Sequence, residues 1–233
     1  LSAPGSRIIF QNPDDLETFV GLGLARKAQC VLIRGSGVDP DIYTAKPEPP
    51  LPVHVAFISR MLRDKGLCEF VAAVRLLKPR YPQVSFNLIG DTDPHNPAAV
   101  STEQLNTWHE EGLVNWQGHR TDMTQVFSEN HLICLPSYRE GLPKVLIEAA
   151  SCSRAIVTTD TPGCREIVQH EVNGLLVPVG ESASLADAIA RLIDDPELRQ
   201  RMGAQGRQRV LETFSLQHVI DSTLAVYREL GAS

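Results

Sequence analysis

The sequence predicts an α/β protein built on a doubly wound parallel sheet, and three features of its 233 residues carry that reading. Short apolar runs recur from residue 53 onward without the alternation of a half-exposed strand, so both faces of each must be covered. Amphipathic stretches separate the runs, which is the rhythm of βαβ units wrapping a parallel sheet. After Asp195 the runs stop and two helical stretches remain.

Ahead of residue 53, RIIFQ, a helix from Asp14 to Gly21 and CVLIRGSGVDP read as a strand–helix–strand piece. KPEPPLPV follows, too rich in Pro for regular structure, and is expected to act as a stiff linker. It sets a boundary, with residues 1–52 as the end of one domain and its linker, and 53–233 as a second domain. In that second domain come VHVAFIS, a helix near Leu67 to Lys78, VSFNLIG, a helix near Thr102 to Glu111 and the short strand LVNWQG. A helix around Met123 to Ser128, HLICLPS, a helix near Lys144 to Ser151 and AIVTTD continue the alternation. A helical turn after Pro162, GLLVPV and a helix from Ser184 to Ile193 complete it. Pro196 to Thr213 opens with a Pro suited to a first helical position, and Leu216 to Leu230 closes the chain; both are expected to pack outside the sheet.

Composition narrows the function. At 42% hydrophobic residues the chain can bury a sizeable core, and no apolar run approaches the roughly 20 residues that span a bilayer. Leu1 to Gly5 lack a signal-peptide pattern, so a cytoplasmic location is expected, and the Leu1 start directly before a strand suggests sequence upstream. The net charge of −6 disfavours nucleic acid. Arg199, Arg201, Arg207 and Arg209 come nearest to a basic stripe, but Glu197 and Glu212 flank them and a solvated helix face is expected. The five cysteines form no C-x-x-C pair and the seven histidines show no ligand spacing, so neither a disulfide framework nor a metal site is predicted. Cys134 and Cys152 read as packed thiols.

The chemistry concentrates in PSYREGLPKVLIEAASC, residues 136–152, where a buried strand runs into a helix. Pro143 suits the first helical position, which would leave the amides of Gly141, Leu142 and Lys144 pointing outward at the positive end of the helix, an anion cradle. Glu140 and Glu148, if one helix spanned both, would stand about 12 Å apart along its axis and about 80° around it. That is too far for an acid/base pair on one bond, which retaining glycosidases hold at about 5 Å, and it suits two ends of one extended ligand. Glu148 in the apolar run VLIEAA would be costly without a partner. In FISRMLRDKG, Arg60 and Lys65 leave the carboxyl end of a strand, where two cations can neutralise a diphosphate, although Asp64 stands ready to pair with either.

SRMLRDKG, EGLPKVLIE, TDTPGCREIV and NGLLVPV in that order resemble the carboxy-terminal domain of retaining GT-B glycosyltransferases of the group 1 type, bacterial enzymes of polysaccharide or lipid-linked oligosaccharide synthesis. The resemblance covers residue 53 to the end, and GSGVDP resembles the interdomain crossover of that family. It implies a Rossmann-like donor-binding half with extra carboxy-terminal helices, completed by an amino-terminal domain outside this chain. It also implies that Arg60 and Lys65 hold the donor diphosphate, Glu140 touches the sugar and Glu148 the ribose, with Gly141, Leu142, Pro143 and Lys144 forming the helix-start cradle. Arg60, Lys65 and Glu140 are thereby the catalytic candidates. No metal or cofactor is implied, the donor is a nucleotide-diphosphate sugar with uridine favoured, and the acceptor is a glycan or lipid-linked glycan, which would bring the whole enzyme to the inner membrane face. Ser59 stands where the family more often has Gly, which predicts a slightly altered turn. A GT-B-like sugar-nucleotide epimerase fits the glutamate spacing less well, and a non-catalytic nucleotide-sugar-binding module or subunit is the other class.

Overall fold

The computed structural model describes residues 5–35 and 37–231. Leu1 to Pro4 of the amino-terminal segment and Ser36 of GSGVDP lie outside the described residues.

Two parallel sheets form. In the small one, β1 (Ile8–Phe10) pairs with β2 (Cys30–Leu32), Ile8 opposite Cys30. Helix α1 (Pro13–Gly21) joins them, its first turn fixed by Asn12, whose side chain accepts from the Asp15 amide, and by Pro13 at a position that needs no donor.

The large sheet contains β3 (His54–Ile58), β4 (Ser85–Ile89), β5 (Asn115–Trp116), β6 (Leu132–Leu135), β7 (Ala155–Thr159) and β8 (Leu175–Val177). They lie in the order β5-β4-β3-β6-β7-β8, all parallel. The connecting helices are α2 (Leu67–Leu77), α3 (Thr102–Glu110), α4 (Met123–Glu129), α5 (Lys144–Ser151) and α6 (Pro162–Ile167), and α7 (Ser182–Asp194) follows β8. Every apolar run from residue 53 is thus a strand, and β6 and β7 are buried throughout, as their unalternated sequences require. Phe57, Phe70 and Phe86 pack in succession at ring separations of 5.6 and 6.3 Å, welding α2 to β3 and β4. The chain winds outward from β3 to β5, then returns to β6 on the other side. The gap between the carboxyl ends of β3 and β6 is therefore the switch point where such sheets open a crevice.

Helix α8 (Pro196–Arg209) runs through a π turn at Val210–Phe214 into α9 (Leu216–Glu229), which Ser215 caps. Here the expected solvated arginine face is overturned. Arg201 is exposed, but Arg199 is buried, pairing with both carboxylate oxygens of Glu48 at 2.8 Å and donating to the Leu192 carbonyl at 2.7 Å. Arg207 donates to the carbonyls of Tyr43 and Ser151, and Arg209 to that of Glu166. Arg154, 1% exposed, donates to the carbonyls of Lys46 and Pro47. The Pro-rich segment lacks regular structure, as expected; Arg154 holds it by its peptide carbonyls and Arg199 by the Glu48 carboxylate, while Arg207 ties down Tyr43 just ahead of it. All five cysteines are free thiols, with Cys134 and Cys152 buried. Among the described residues no helix is long and apolar enough to cross a membrane, and no group of three His, Cys, Asp or Glu could hold a metal ion.

Candidate functional site

Four turns meet over the switch point. After β3 the chain passes Ser59 and Arg60 into a short 3-10 turn, Arg63–Lys65, that ends on Gly66 in the left-handed region at φ 75°. A Cβ at Gly66 would lie 2.0 Å from the Pro136 carbonyl oxygen, so only glycine lets this turn press against the one that follows β6. Gly90, after β4, has φ 137° and would put a Cβ 1.9 Å from the Ser59 carbonyl oxygen. Both glycines draw neighbouring turns together at the sheet edge.

Between the turns lies a cavity of about 600 Å³. Of the residues picked out by sequence, Arg60, Lys65, Glu140, Pro143, Lys144 and Glu148 line it. Gly141 and Leu142 turn instead toward the small sheet. Asn12 donates to the Gly141 carbonyl at 2.9 Å, and a Cβ on Gly35 would meet the Leu142 side chain at 2.4 Å. Four titratable lining residues were not anticipated, namely Asp91 and Asp93 after β4 and His119 and Arg120 after β5. Their signal was positional, because each lies in the turn just after a strand, at the edge where ligands bind.

The helix start differs by one residue from the sequence reading. Pro143 is the cap, with extended ψ 108°, and Lys144 is the first helical residue. The Leu146 amide donates to the Pro143 carbonyl at 3.0 Å, while the amides of Lys144 and Val145, both in the cavity wall, meet no backbone acceptor among the described residues. They carry the positive end of the α5 dipole. Glu140 therefore lies outside the helix, and one helix does not span both glutamates.

The two cations do not stand free as a bare pair. Lys65 Nζ donates to Glu140 Oε1 at 2.7 Å, with both side chains largely buried, and Arg60 Nη1 donates to Asp93 Oδ2 at 3.0 Å in a more exposed pair. Asp64 takes neither; its carbonyl accepts from the Tyr138 amide and the Ser137 hydroxyl. Glu148 is 7% exposed, and Lys144 approaches Oε1 at 3.4 Å. Burial raises the Glu148 pKa above the usual carboxylate range, against the opposing pull of Tyr43 and Lys144. Arg120 is held by Asp122 and Glu129, whose hydrogen bonds raise its pKa further. The result is a cleft whose wall carries cations, a helix start and a buried carboxylate acceptor, suited to a ligand that is anionic in one part and carries hydroxyls in another.

The family model for glycosyl transferases group 1 matches residues 44–209, which takes in the whole cavity wall. The chain belongs to the group 1 glycosyl transferases. It is similar to N,N'-diacetylbacillosaminyl-diphospho-undecaprenol alpha-1,3-N-acetylgalactosaminyltransferase of Campylobacter jejuni, 30% identical over 220 residues that cover 88% of this chain and 56% of the relative. Similarity to alpha-maltose-1-phosphate synthase of Mycolicibacterium smegmatis is 31% over 191 residues, 76% of this chain and 48% of that one. This group 1 chain thus spans about half the length of the curated relatives it matches. The crystal structure of Anabaena HepE in complex with UDP superposes with a TM-score of 0.83 at 24% identity, over 94% of this chain and 64% of HepE. Its architecture is that of a GT-B Rossmann-like domain.

Proposed function

We propose that this chain is the donor-binding half of a retaining, metal-independent glycosyltransferase that takes a UDP-sugar and serves a polysaccharide or lipid-linked acceptor. The observation that carries the proposal is the convergence of Arg60, Lys65, Lys144 and the α5 start on one cavity that the buried Glu148 also lines. The UDP complex of HepE and the name of the Campylobacter relative support the nucleotide and the lipid-linked acceptor respectively. In this reading the diphosphate displaces Glu140 and Asp93 as the partner of Lys65 and Arg60, and the free amides of Lys144 and Val145 receive its oxygens. Glu140, released from Lys65, turns to the sugar hydroxyls, and Glu148 accepts from the ribose.

Cleavage of the bond between anomeric carbon and phosphate leaves negative charge on the diphosphate. Fixed donors in a partly desolvated site stabilise that charge as it develops, and no other effect available to such a site lowers the barrier as much. Retention follows from attack on the same face, with the departing phosphate oxygen taking the acceptor's proton, so no side chain of this chain serves as general base. Residues 1–52 belong in this reading to the acceptor domain and its linker, 53–233 form the donor domain, and the rest of the acceptor domain lies outside this chain. The enzyme would act in the cytoplasm, at the inner membrane face when its acceptor is lipid-linked. Calorimetric titration with UDP, GDP and UDP-sugars, with and without magnesium, tests it. Metal-independent binding of UDP that is lost in Arg60→Ala is expected; a magnesium requirement or a preference for GDP would overturn the corresponding part, and no binding would overturn the donor site.

A further inference from the structure

The turn that carries Glu140 is held from outside itself. Residues 136–143 have no regular structure, and among the described residues the amides of 139–142 meet no backbone acceptor. On the upstream side the Ser137 hydroxyl donates to the Arg139 carbonyl at 3.2 Å. On the downstream side the grip comes from the small sheet. Asn12, fully buried between β1 and α1, donates through Nδ2 to the Gly141 carbonyl at 2.9 Å and to Asp15 Oδ2 at 2.8 Å, while its Oδ1 accepts from the Asp15 amide at 2.8 Å. Both amide protons and the oxygen are thus committed, which fixes the side chain's orientation. The turn is also backed by α6. A Cβ on Gly163 would lie 2.5 Å from the Gly141 carbonyl oxygen and 2.6 Å from that of Glu140. That helix is itself joined to α1, through Arg165 and Asp14 at 3.1 Å.

We propose that Asn12 is a positioning residue for Glu140: by holding the Gly141 carbonyl it aims the Glu140 carboxylate at the sugar of the bound donor, so that sugar recognition in the large sheet's site depends on a residue of the small sheet. This rests on the assignment of Glu140 to the sugar made above. Among the described residues the Glu140 side chain bonds to Lys65 alone, and the incoming diphosphate takes Lys65. From then on the backbone sets where the carboxylate points. A turn without internal hydrogen bonds would lose conformational freedom on meeting the sugar, whereas a peptide already pinned by a buried amide does not. The nucleotide and diphosphate make no demand on Glu140, so the effect of Asn12 is confined to the sugar.

Asn12→Ser isolates that bond. The serine hydroxyl is as good an acceptor for the Asp15 amide at the start of α1, but its shorter side chain falls short of the Gly141 carbonyl. The test titrates this 233-residue chain, N12S, Glu140→Ala and the double variant with UDP, UDP-glucose, UDP-galactose and UDP-N-acetylglucosamine. The expected result is that N12S weakens the best-bound nucleotide sugar about fivefold, the size of one lost hydrogen bond, and leaves UDP unchanged. In the Glu140→Ala background N12S should change neither, because the group it positions is gone. Equal loss on UDP and the nucleotide sugar, no loss on either, or an undiminished N12S effect without Glu140 would overturn the positioning role. If Glu140→Ala leaves the ratio of nucleotide-sugar to UDP affinity as it is in the unaltered chain, the sugar assignment itself fails and the inference falls with it. A positioning failure, by contrast, leaves that ratio altered by Glu140→Ala and untouched by N12S. Failure of the unaltered chain to bind any nucleotide sugar would remove the donor site and this role together.

Discussion

Replacing Lys65 with Ala tests the division of the cavity into a phosphate end and a ribose end. The Lys65–Glu140 pair is 2.7 Å long, with side chains 19% and 13% exposed, so neither charge is fully screened by water. At an effective dielectric of about 20 and a separation of about 4 Å, a unit cation attracts a unit anion by about 4 kcal/mol. Exchange of Glu140 for phosphate offsets part of this, and a net charge-assisted bond of about 1.5–3 kcal/mol remains, or about 10- to 150-fold in affinity. The variant also strands the Glu140 carboxylate beside the incoming phosphate, which adds repulsion. Titration calorimetry with UDP, UMP and uridine should therefore show a large loss for UDP, a smaller one for UMP and none for uridine. Removing both partners, in the double variant with Glu140→Ala, should recover part of the UDP loss because the stranded charge is gone. Uniform losses for all three ligands, or no recovery in the double variant, would refute the reasoning.

Gly66→Ala places a Cβ 2.0 Å from the Pro136 carbonyl at φ 75°, and an expected loss of about 2–4 kcal/mol should lower the melting temperature by about 5–15 °C in calorimetry. Arg199→Met leaves Glu48 in a half-buried site without its cation, and urea unfolding at pH 7 should register about 3 kcal/mol. Burial alone would raise the Glu48 pKa, but Arg199 and Gln200 hold it lower, so its contribution is full above the usual carboxylate range and is lost as pH falls through the lowered value. That acid-side loss should vanish in Arg199→Met. Glu148 has the opposite sign: its raised pKa means that UDP affinity should fall on acidification at a higher pH than for an exposed carboxylate, and Glu148→Gln should abolish that limb.

Most of the scaffold could be read without coordinates because burial on both faces leaves a local mark. HLICLPS and AIVTTD had no alternation to confuse, and β6 and β7 fall inside them. Site residues that follow such strands, Arg60 and Lys65 after β3 and Lys144 after β6, followed from the same marks. The rest depended on contacts distant in sequence. Arg199 resembled a surface residue because its partner, Glu48, lies 151 positions away, and nothing within its own helix announces the pair. For Arg60 and Lys65 the sequence offered only the neighbouring Asp64 as a partner, because Asp93 and Glu140 reach them only once the turns after three strands are assembled. Gly141 and Leu142 were placed on the ligand by their neighbours, while Asn12 and Gly35 hold them toward the small sheet. Pro143 fell one position early because φ near −70° serves a cap as readily as a first helical turn, and ψ decides between them.

The clamped segment between the sheets also sets the mechanics of the molecule. Ile33 is tied to the small sheet through the Phe10 carbonyl, whereas Val38 exchanges hydrogen bonds with Phe214 and Leu216, and Tyr43 to Glu48 are gripped by arginines. Between these anchors Arg34 Nε donates to Glu166 Oε2 at 2.6 Å, and Gly35 and Gly37 both sit at φ 72°. Any swing of one sheet against the other would therefore be taken up at these two glycines, and would have to break the Asn12–Gly141 and Asp14–Arg165 bonds that join the two. Gly35 rests on Leu142, beside the lip of the cavity. A change of backbone angle at Gly35 would be felt first by Leu142, whose neighbour Pro143 lines the cavity.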